Sequence, residues 1–221
     1  MVAINPRLKN QLILYKKITN SKAKILLIPN SLRSELISEV VEDNSLEKKM
    51  SFLAVSRIEN QKNLRLMIES FAAICKHYPD AFLSIAGTGS LLKTYQELVR
   101  TKYSDLNITF YGEIEDVASL YNKHKFFLNS SIFEGFGISI VESMLFRCIP
   151  ICTPTDGARF ILGANGFLSE DFSLASYVLE IFRAINMDTE GIEKLSLKLQ
   201  TRAKELSDPK NMARRYADVL D

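Results

Sequence analysis

Between residues 51 and 168, short apolar runs alternate with longer stretches in which apolar residues recur at helical spacing. The runs cover 52–55, 81–86, 108–111, 126–128 and 149–152. They are continuously apolar rather than alternating, as expected for strands buried on both faces of a parallel sheet. Between them, Leu64, Met67, Ile68, Phe71 and Ile74 make one stripe within 63–78. Leu91, Leu92, Tyr95 and Leu98 make another within 91–103. This β-α-β-α order predicts an α/β fold, a Rossmann-like doubly wound parallel sheet of about six strands. After residue 170 the pattern turns helical, over 173–187, 190–206 and 208–220. The last is entered at Asp208-Pro209, a cap followed by proline at the first helical position. Ahead of the sheet, a strand at 2–5, a helix at 7–17 and a strand at 24–28 leave no room for a sheet of their own, and read as the tail of a preceding domain.

In an open parallel sheet, ligands gather beyond the carboxyl ends of the strands. The first predicted strand is followed by Ser56-Arg57 and then Lys62, the second by Gly87-Thr88-Gly89-Ser90 and the third by Gly112-Glu113. The fourth leads into Ser130-Ser131 and Glu134-Gly135-Phe136-Gly137, and the fifth into residues 153–157. Six of the nine glycines, at 87, 89, 112, 135, 137 and 157, sit at these junctions, where a chain must turn sharply or approach a ligand closely. Arg57 and Lys62 offer fixed positive charge to a diphosphate. Singly, they read equally well as surface charges at a helix start. Gly135 and Gly137 run into a helix predicted over 138–146, whose first amides would face an anion. Glu142, in the second turn, leans back toward that loop as an acceptor for vicinal hydroxyls. Glu134 near the helix start is also a favourable charge there without any ligand.

These residues carry a resemblance. The stretch SIFEGFGISIVESM at 131–144, with two glutamates separated by seven residues, is similar to the signature of the C-terminal domain of group 1 glycosyltransferases, the large retaining GT-B family (glycosyltransferase family 4). Ile28-Pro29-Asn30 resembles that family's interdomain linker, and Val55-Ser56-Arg57 through Lys62-Asn63 its phosphate-binding loop. Ile85 to Gly89 and Phe110-Tyr111-Gly112 resemble its next two strand ends, Asn165-Gly166-Phe167-Leu168 a late turn, and residues 212–220 its closing helix. The resemblance implies one half of a GT-B fold, with residues 1–28 the end of an acceptor domain plus linker and 29–221 the nucleotide-sugar-binding domain. It implies that Arg57 and Lys62 hold the donor diphosphate and that Glu134 contacts the donor sugar. Amides of Gly135, Phe136, Gly137 and Ile138 would bind phosphate or sugar, and Glu142 the ribose. The base would lie against backbone near Gly112 to Ile114, and Gly87 would also belong to the nucleotide-sugar site. Catalysis would rest on Glu134, Arg57 and Lys62. No Asp-x-Asp triplet occurs, so the expected transfer uses no metal and no cofactor beyond the nucleotide-diphosphate sugar.

The expected reaction moves a hexose or hexosamine from a UDP- or GDP-sugar to a glycan or glycolipid, and needs an N-terminal domain on the same or another chain. A non-catalytic binding subunit and a nucleotide-sugar epimerase or phosphorylase are the alternatives. Three positions depart from the family: Arg147 where it has a small residue or glycine, Asp156-Gly157 where it has a glycine pair, and Arg159 near a usual acidic position.

Composition narrows the class further. The net charge is +2, which gives no reason to expect nucleic acid. Yet the first 34 residues hold Arg7, Lys9, Lys16, Lys17, Lys22, Lys24 and Arg33 and no acidic residue. That is a solvated face, or a surface for anionic lipid and peripheral membrane contact. Cys75, Cys148 and Cys152 are too few and scattered for a disulfide framework or a zinc site. Reduced thiols, no signal-peptide pattern and no apolar run near ~18 residues predict a cytoplasmic setting, at the inner face of the membrane if lipid is met.

Overall fold

The computed structural model describes residues 1–27, Glu39, 50–208 and Ala213. The linker at 28–30, Arg33 and the helix expected over 208–220 therefore lie outside the described residues, apart from Asp208 and Ala213. At the front, β1 (Val2–Ala3) and β2 (Leu26–Leu27) pair in parallel across α1 (Pro6–Ile18). The segment thus forms a two-stranded pairing of its own, which its length had argued against. Asn5 caps α1, accepting from Leu8 N at 2.8 Å, and Pro6 sits where a missing amide costs nothing.

Six further strands make one wholly parallel sheet: β3 (Ser51–Val55), β4 (Phe82–Ala86), β5 (Ile108–Gly112), β6 (Phe126–Asn129), β7 (Ile149–Cys152) and β8 (Phe167–Leu168). Their order is β5-β4-β3-β6-β7-β8. The chain winds outward from β3 to β5, returns to pair β6 with β3, and winds the other way to β8, so the switch point lies between β3 and β6. The helices are α2 (Leu64–Cys75), α3 (Leu92–Lys102), α4 (Val117–Lys123), α5 (Ile138–Leu145), α6 (Asp156–Leu162), α7 (Leu174–Ile185) and α8 (Thr189–Ser207). Right-handed crossovers in opposite directions put α2 and α5 on opposite faces of the sheet. There α7 packs on α2, and α8 on α5.

The predicted α2 stripe of Leu64, Met67, Ile68, Phe71 and Ile74 is buried throughout, and Phe71 meets Phe52 of β3 edge-on at 5.8 Å. Phe52 also stacks on Phe126 at 5.2 Å, tying β3 to β6 across the switch point. The α3 stripe is only half-buried, because α3 lies over the margin of the sheet. Two strand expectations change. β5 alternates between half-buried and exposed residues, with Tyr111 46% exposed, because it is the edge strand and one of its faces has no helix over it. Residues 167–168, expected as a turn, are the sixth strand, held by β7.

Arg147 explains its own oddity. It follows α5 with φ +61°, its N–H bonds Met144 O at 3.0 Å, and Cys148 N–H bonds Ser143 O at 2.9 Å. That pair of bonds is the Schellman ending, which favours glycine at the left-handed position. Here the arginine holds the site while its guanidinium donates to Ser196 Oγ on α8 at 3.2 Å. Arg147→Gly relieves about 1 kcal/mol of backbone strain and loses that contact, so its melting point is expected within roughly 4 °C of the parent. A larger fall in a thermal melt would show that the link to α8 outweighs the strain.

All three cysteines are free, Cys148 and Cys152 buried and Cys75 partly so. Burial pushes the Cys75 thiol up to about 11 and the Cys152 thiol further still, with Glu134 adding to the latter, so neither is a thiolate nucleophile at neutral pH. Among the described residues no helix is long and apolar enough to cross a membrane.

Candidate functional site

The loops after β3 and β4 are sewn together before any side chain acts. Ser56 N–H bonds Ala86 O at 3.0 Å and Ile58 N–H bonds Thr88 O at 2.9 Å, so the ladder continues past the strand ends. This close approach is possible only because Gly87 has no Cβ. One built there would collide with the Ser56 carbonyl oxygen, and φ at Gly87 is +128°. Gly87 N–H in turn bonds Gly112 O at 2.7 Å, adding the end of β5. Glu59 braces the same corner, accepting from Ser90 N at 2.9 Å and Ser90 Oγ at 2.6 Å. Those two bonds hold its carboxyl below the usual carboxylate range.

These loops enclose a cavity of about 380 Å³ lined by Arg57, Gly87, Thr88, Glu113, Ile114 and Glu142, among others. Four of the residues named from sequence thus meet in one place: Arg57, Gly87, Ile114 and Glu142. Gly112 stands beside them at the turn out of β5, with φ +67° and open space where a Cβ would be. Glu142 is 8% exposed and accepts from Tyr121 Oη at 2.9 Å. Tyr121 is fully buried and stacked on Phe146 at 5.4 Å. Burial first, and the Glu142 carboxylate second, push its phenol well above its usual range, so it stays a hydrogen-bond donor. Tyr121 was not named from sequence. Nothing in a tyrosine on a short helix between β5 and β6 marks it, and its role comes from the contact its side chain makes with Glu142 and Phe146, more than 20 residues on.

Lys62 and Glu134 meet each other. Lys62 Nζ lies 2.7 Å from Glu134 Oε2, with both side chains about seven-eighths buried (14% and 13% exposed). Ser131 Oγ donates to the same oxygen at 3.1 Å. Gln61 Nε2 to Phe133 O at 2.8 Å, and Ser130 Oγ to Lys62 O at 2.9 Å, clamp the two loops on either side. Gly135, Phe136 and Gly137 then turn the chain into α5. The Phe136 side chain is 3% exposed, so only its backbone is presented to the site. Gly157 lets α6 approach from behind, since a Cβ there would collide with the Phe136 and Glu134 carbonyls. Ile138 opens α5 and is 41% exposed.

Helix capping separates the site from the rest. Among the described residues, α1, α4, α6, α7 and α8 are capped by the side chains of Asn5, Asp116, Thr155, Ser173 and Asp188. The helices α2, α3 and α5 have no side-chain cap. These three follow β3, β4 and β6, the strands around the switch point. Helix α5 is entered through Gly137 with φ +98°, and the Glu134 side chain packs beside that turn, so the helix's first amides open next to the Glu134 loop. The arrangement combines a flexible cation, a paired Lys–Glu, an uncapped helix and a buried carboxylate facing a cavity. Such a set can hold an anion at one end and hydroxyls at the other. Among the described residues no three His, Cys, Asp or Glu side chains form a metal-ligating group.

Among the described basic residues of the front segment, Arg7 stands apart from Lys16 and Lys17. Arg7 pairs with Asp156 at 2.6 Å, beside the site, whereas Lys16 and Lys17 lie at the other end of α1, roughly 15 Å along its axis.

Comparison with known proteins agrees with this geometry. Residues 37–206 match the family model described as glycosyl transferases group 1. A poly(glycerol-phosphate) alpha-glucosyltransferase of Bacillus subtilis is 28% identical over 170 residues, covering 75% of this chain and 25% of that protein. The GtfA subunit of a UDP-N-acetylglucosamine–peptide N-acetylglucosaminyltransferase from Limosilactobacillus reuteri is 29% identical over 164 residues, covering 72% and 31%. The chain thus spans between a quarter and a third of these relatives. In fold it is similar to S. aureus TarM, solved with fondaparinux, alpha-GlcNAc-glycerol and UDP, with a TM-score of 0.84 at 15% identity over 100% of this chain and 43% of that one. It is also similar to the pneumococcal O-GlcNAc transferase GtfA, solved with UDP and GlcNAc, with a TM-score of 0.74 at 19% identity over 99% and 45%. The α/β fold is one half of a GT-B fold, and the chain belongs to the group 1 glycosyl transferases.

Proposed function

We propose that this chain is the donor-binding half of a retaining glycosyltransferase that moves a hexose or hexosamine from a UDP-sugar to a glycan or glycolipid. The observation that carries this is the cavity beyond the ends of β3, β4 and β5, where Arg57 and Glu142 face one space, with the Lys62–Glu134 pair on the loops adjoining each. UDP is favoured over GDP because the solved TarM and GtfA structures carry UDP. The base lies along Gly112 to Ile114, the ribose hydroxyls donate to Glu142, and the diphosphate takes Arg57, Lys62 and the first amides of α5. The diphosphate competes with Glu134 for Lys62, which leaves the glutamate to accept from the donor sugar. As the glycosidic bond breaks, charge builds on the departing diphosphate. Cations and helix amides already in place stabilise it there, without a metal.

The front segment supports a second half beyond this one. α1 buries none of its residues, and Leu14, Tyr15 and Ile18 are 59%, 57% and 75% exposed beside the two-stranded β1–β2 pairing. Residues 1–28 are read as the edge of an acceptor domain, on this polypeptide or a partner, that covers this face. The chain alone then binds donor and transfers little, because positioning the acceptor and excluding water need the other half.

Thermal unfolding tests the reading. UDP at about a hundred times its dissociation constant adds about 2.7 kcal/mol, a rise of roughly 5 to 11 °C. Arg57→Ala is expected to abolish most of that rise while melting near the parent without nucleotide, since Arg57 is exposed. A rise with GDP and none with UDP would reassign the base. Binding without transfer, once the acceptor half is supplied, would make the chain a non-catalytic subunit.

A further inference from the structure

The segment ahead of α1 reaches the loop that carries Glu134. Asn5 is 6% exposed and uses both ends of its amide. Oδ1 accepts from Leu8 N at 2.8 Å, capping α1, and Nδ2 donates to Gly135 O. On one side Ile4 approaches Gly135, its Cδ1 lying 3.4 Å from where a Cβ would stand. On the other, Arg7 pairs with Asp156 at the start of α6. The peptide that Asn5 grips joins Gly135 to Phe136. Its neighbours are already fixed, Glu134 O by Gly157 N–H at 3.1 Å and Phe136 by burial. The Gly135 carbonyl shares a rigid plane with the Phe136 N–H, so the bond from Asn5 sets the direction of that amide just ahead of α5.

We propose that Asn5 is a positioning residue that locks the Gly135 carbonyl, and through it the diphosphate and sugar end of the donor site, to the front segment. The choice of residue supports this. Serine, threonine and aspartate cap a helix as well as asparagine does, but asparagine alone of the four presents an amide donor while capping. Coupling of this kind makes the sugar end of the site sensitive to where the front segment sits, whereas the base end, built on the loops after β3, β4 and β5, and Glu142, held in the second turn of α5 by the buried Tyr121, are not. The functional consequence rests on the donor-site reading above; the lock itself does not.

Two variants keep the cap and remove the amide arm that reaches Gly135 O, Asn5→Ser and Asn5→Asp, the first without adding charge. In the chain without nucleotide, hydrogen exchange at the amides of residues 135–138 is expected to speed up roughly tenfold in both, with α1 still protected. Affinity for UDP-glucose is expected to fall about tenfold while affinity for UMP, which lacks the distal phosphate and sugar, stays within about twofold. Unchanged exchange and unchanged UDP-glucose affinity would overturn the role of Asn5. Equal loss of UMP and UDP-glucose would also overturn it, by showing an effect on the whole domain. A parent chain that bound neither nucleotide would sink the donor-site reading, while the exchange result still decides the lock.

Discussion

Gly87→Ala is expected to melt roughly 10 °C below the parent chain and to lose nucleotide binding with it. Two costs add at this position. A side chain at φ +128° is strained by about 1 to 3 kcal/mol, and the new methyl collides with the Ser56 carbonyl oxygen. That oxygen cannot step aside, because Ser56 N–H is fixed on Ala86 O and Ile58 N–H on Thr88 O. Relief therefore means parting β3 from β4 at the rim of the cavity, about 4 kcal/mol in all. Gly112→Ala is the control. It shares a left-handed backbone, at φ +67°, but has open space where the methyl goes, so only the strain of about 1 kcal/mol remains. Equal melting points for the two variants would show that close approach at Gly87 contributes nothing.

The second large effect falls on binding. Glu142→Ala is expected to weaken UDP roughly a hundredfold, the loss of two hydrogen bonds to a charged acceptor. It also takes from the buried Tyr121 hydroxyl its acceptor at 2.9 Å, leaving the longer bond to Ser139 O at 3.5 Å, which lowers stability by about 1 kcal/mol. Glu142→Gln separates these effects. The amide oxygen still accepts from Tyr121, so the melt stays near the parent while affinity falls about tenfold. A nucleotide without ribose hydroxyls, 2′,3′-dideoxy-UDP, closes the cycle, since its affinity should be indifferent to either substitution. If it weakens as much as UDP does, Glu142 acts on the shape of the cavity and not on the ribose.

Much of this was legible in the sequence for a physical reason. Strands buried on both faces leave uninterrupted apolar runs, and helices laid over them leave stripes, so β3, β4, β6 and β7 and helix α2 read directly. β5 also read as a strand, but not as an edge one, because an edge strand with exposed Tyr111 and Thr109 can still be apolar in composition. β8 is two residues long, and its identity comes from β7 beside it. Among the site residues, the glycines and Arg57 could be placed because they follow strands, and strand ends converge in this topology. Pairings across the sheet could not be read. That Lys62 meets Glu134, 72 residues away, or that Tyr121 meets Glu142, is decided by crossings that leave no periodic trace. Asn5 was hidden twice, since its cap on α1 already accounts for the residue locally.

The strand order also dictates how the protein must be made. β3, β4 and β5 leave the ribosome first and can pair at once, yet the second edge of β3 waits for β6, which begins only at Phe126. At synthesis rates of about 5 to 20 residues per second, the stretch from the end of β5 to that strand takes on the order of one to three seconds. Throughout that interval the apolar, hydrogen-bonding edge of Phe52 and Leu53 stands open in the middle of what will be the sheet. The centre of the finished fold is thus its most vulnerable edge during birth, and any delay before residue 126 prolongs the time in which another nascent chain can take the place of β6.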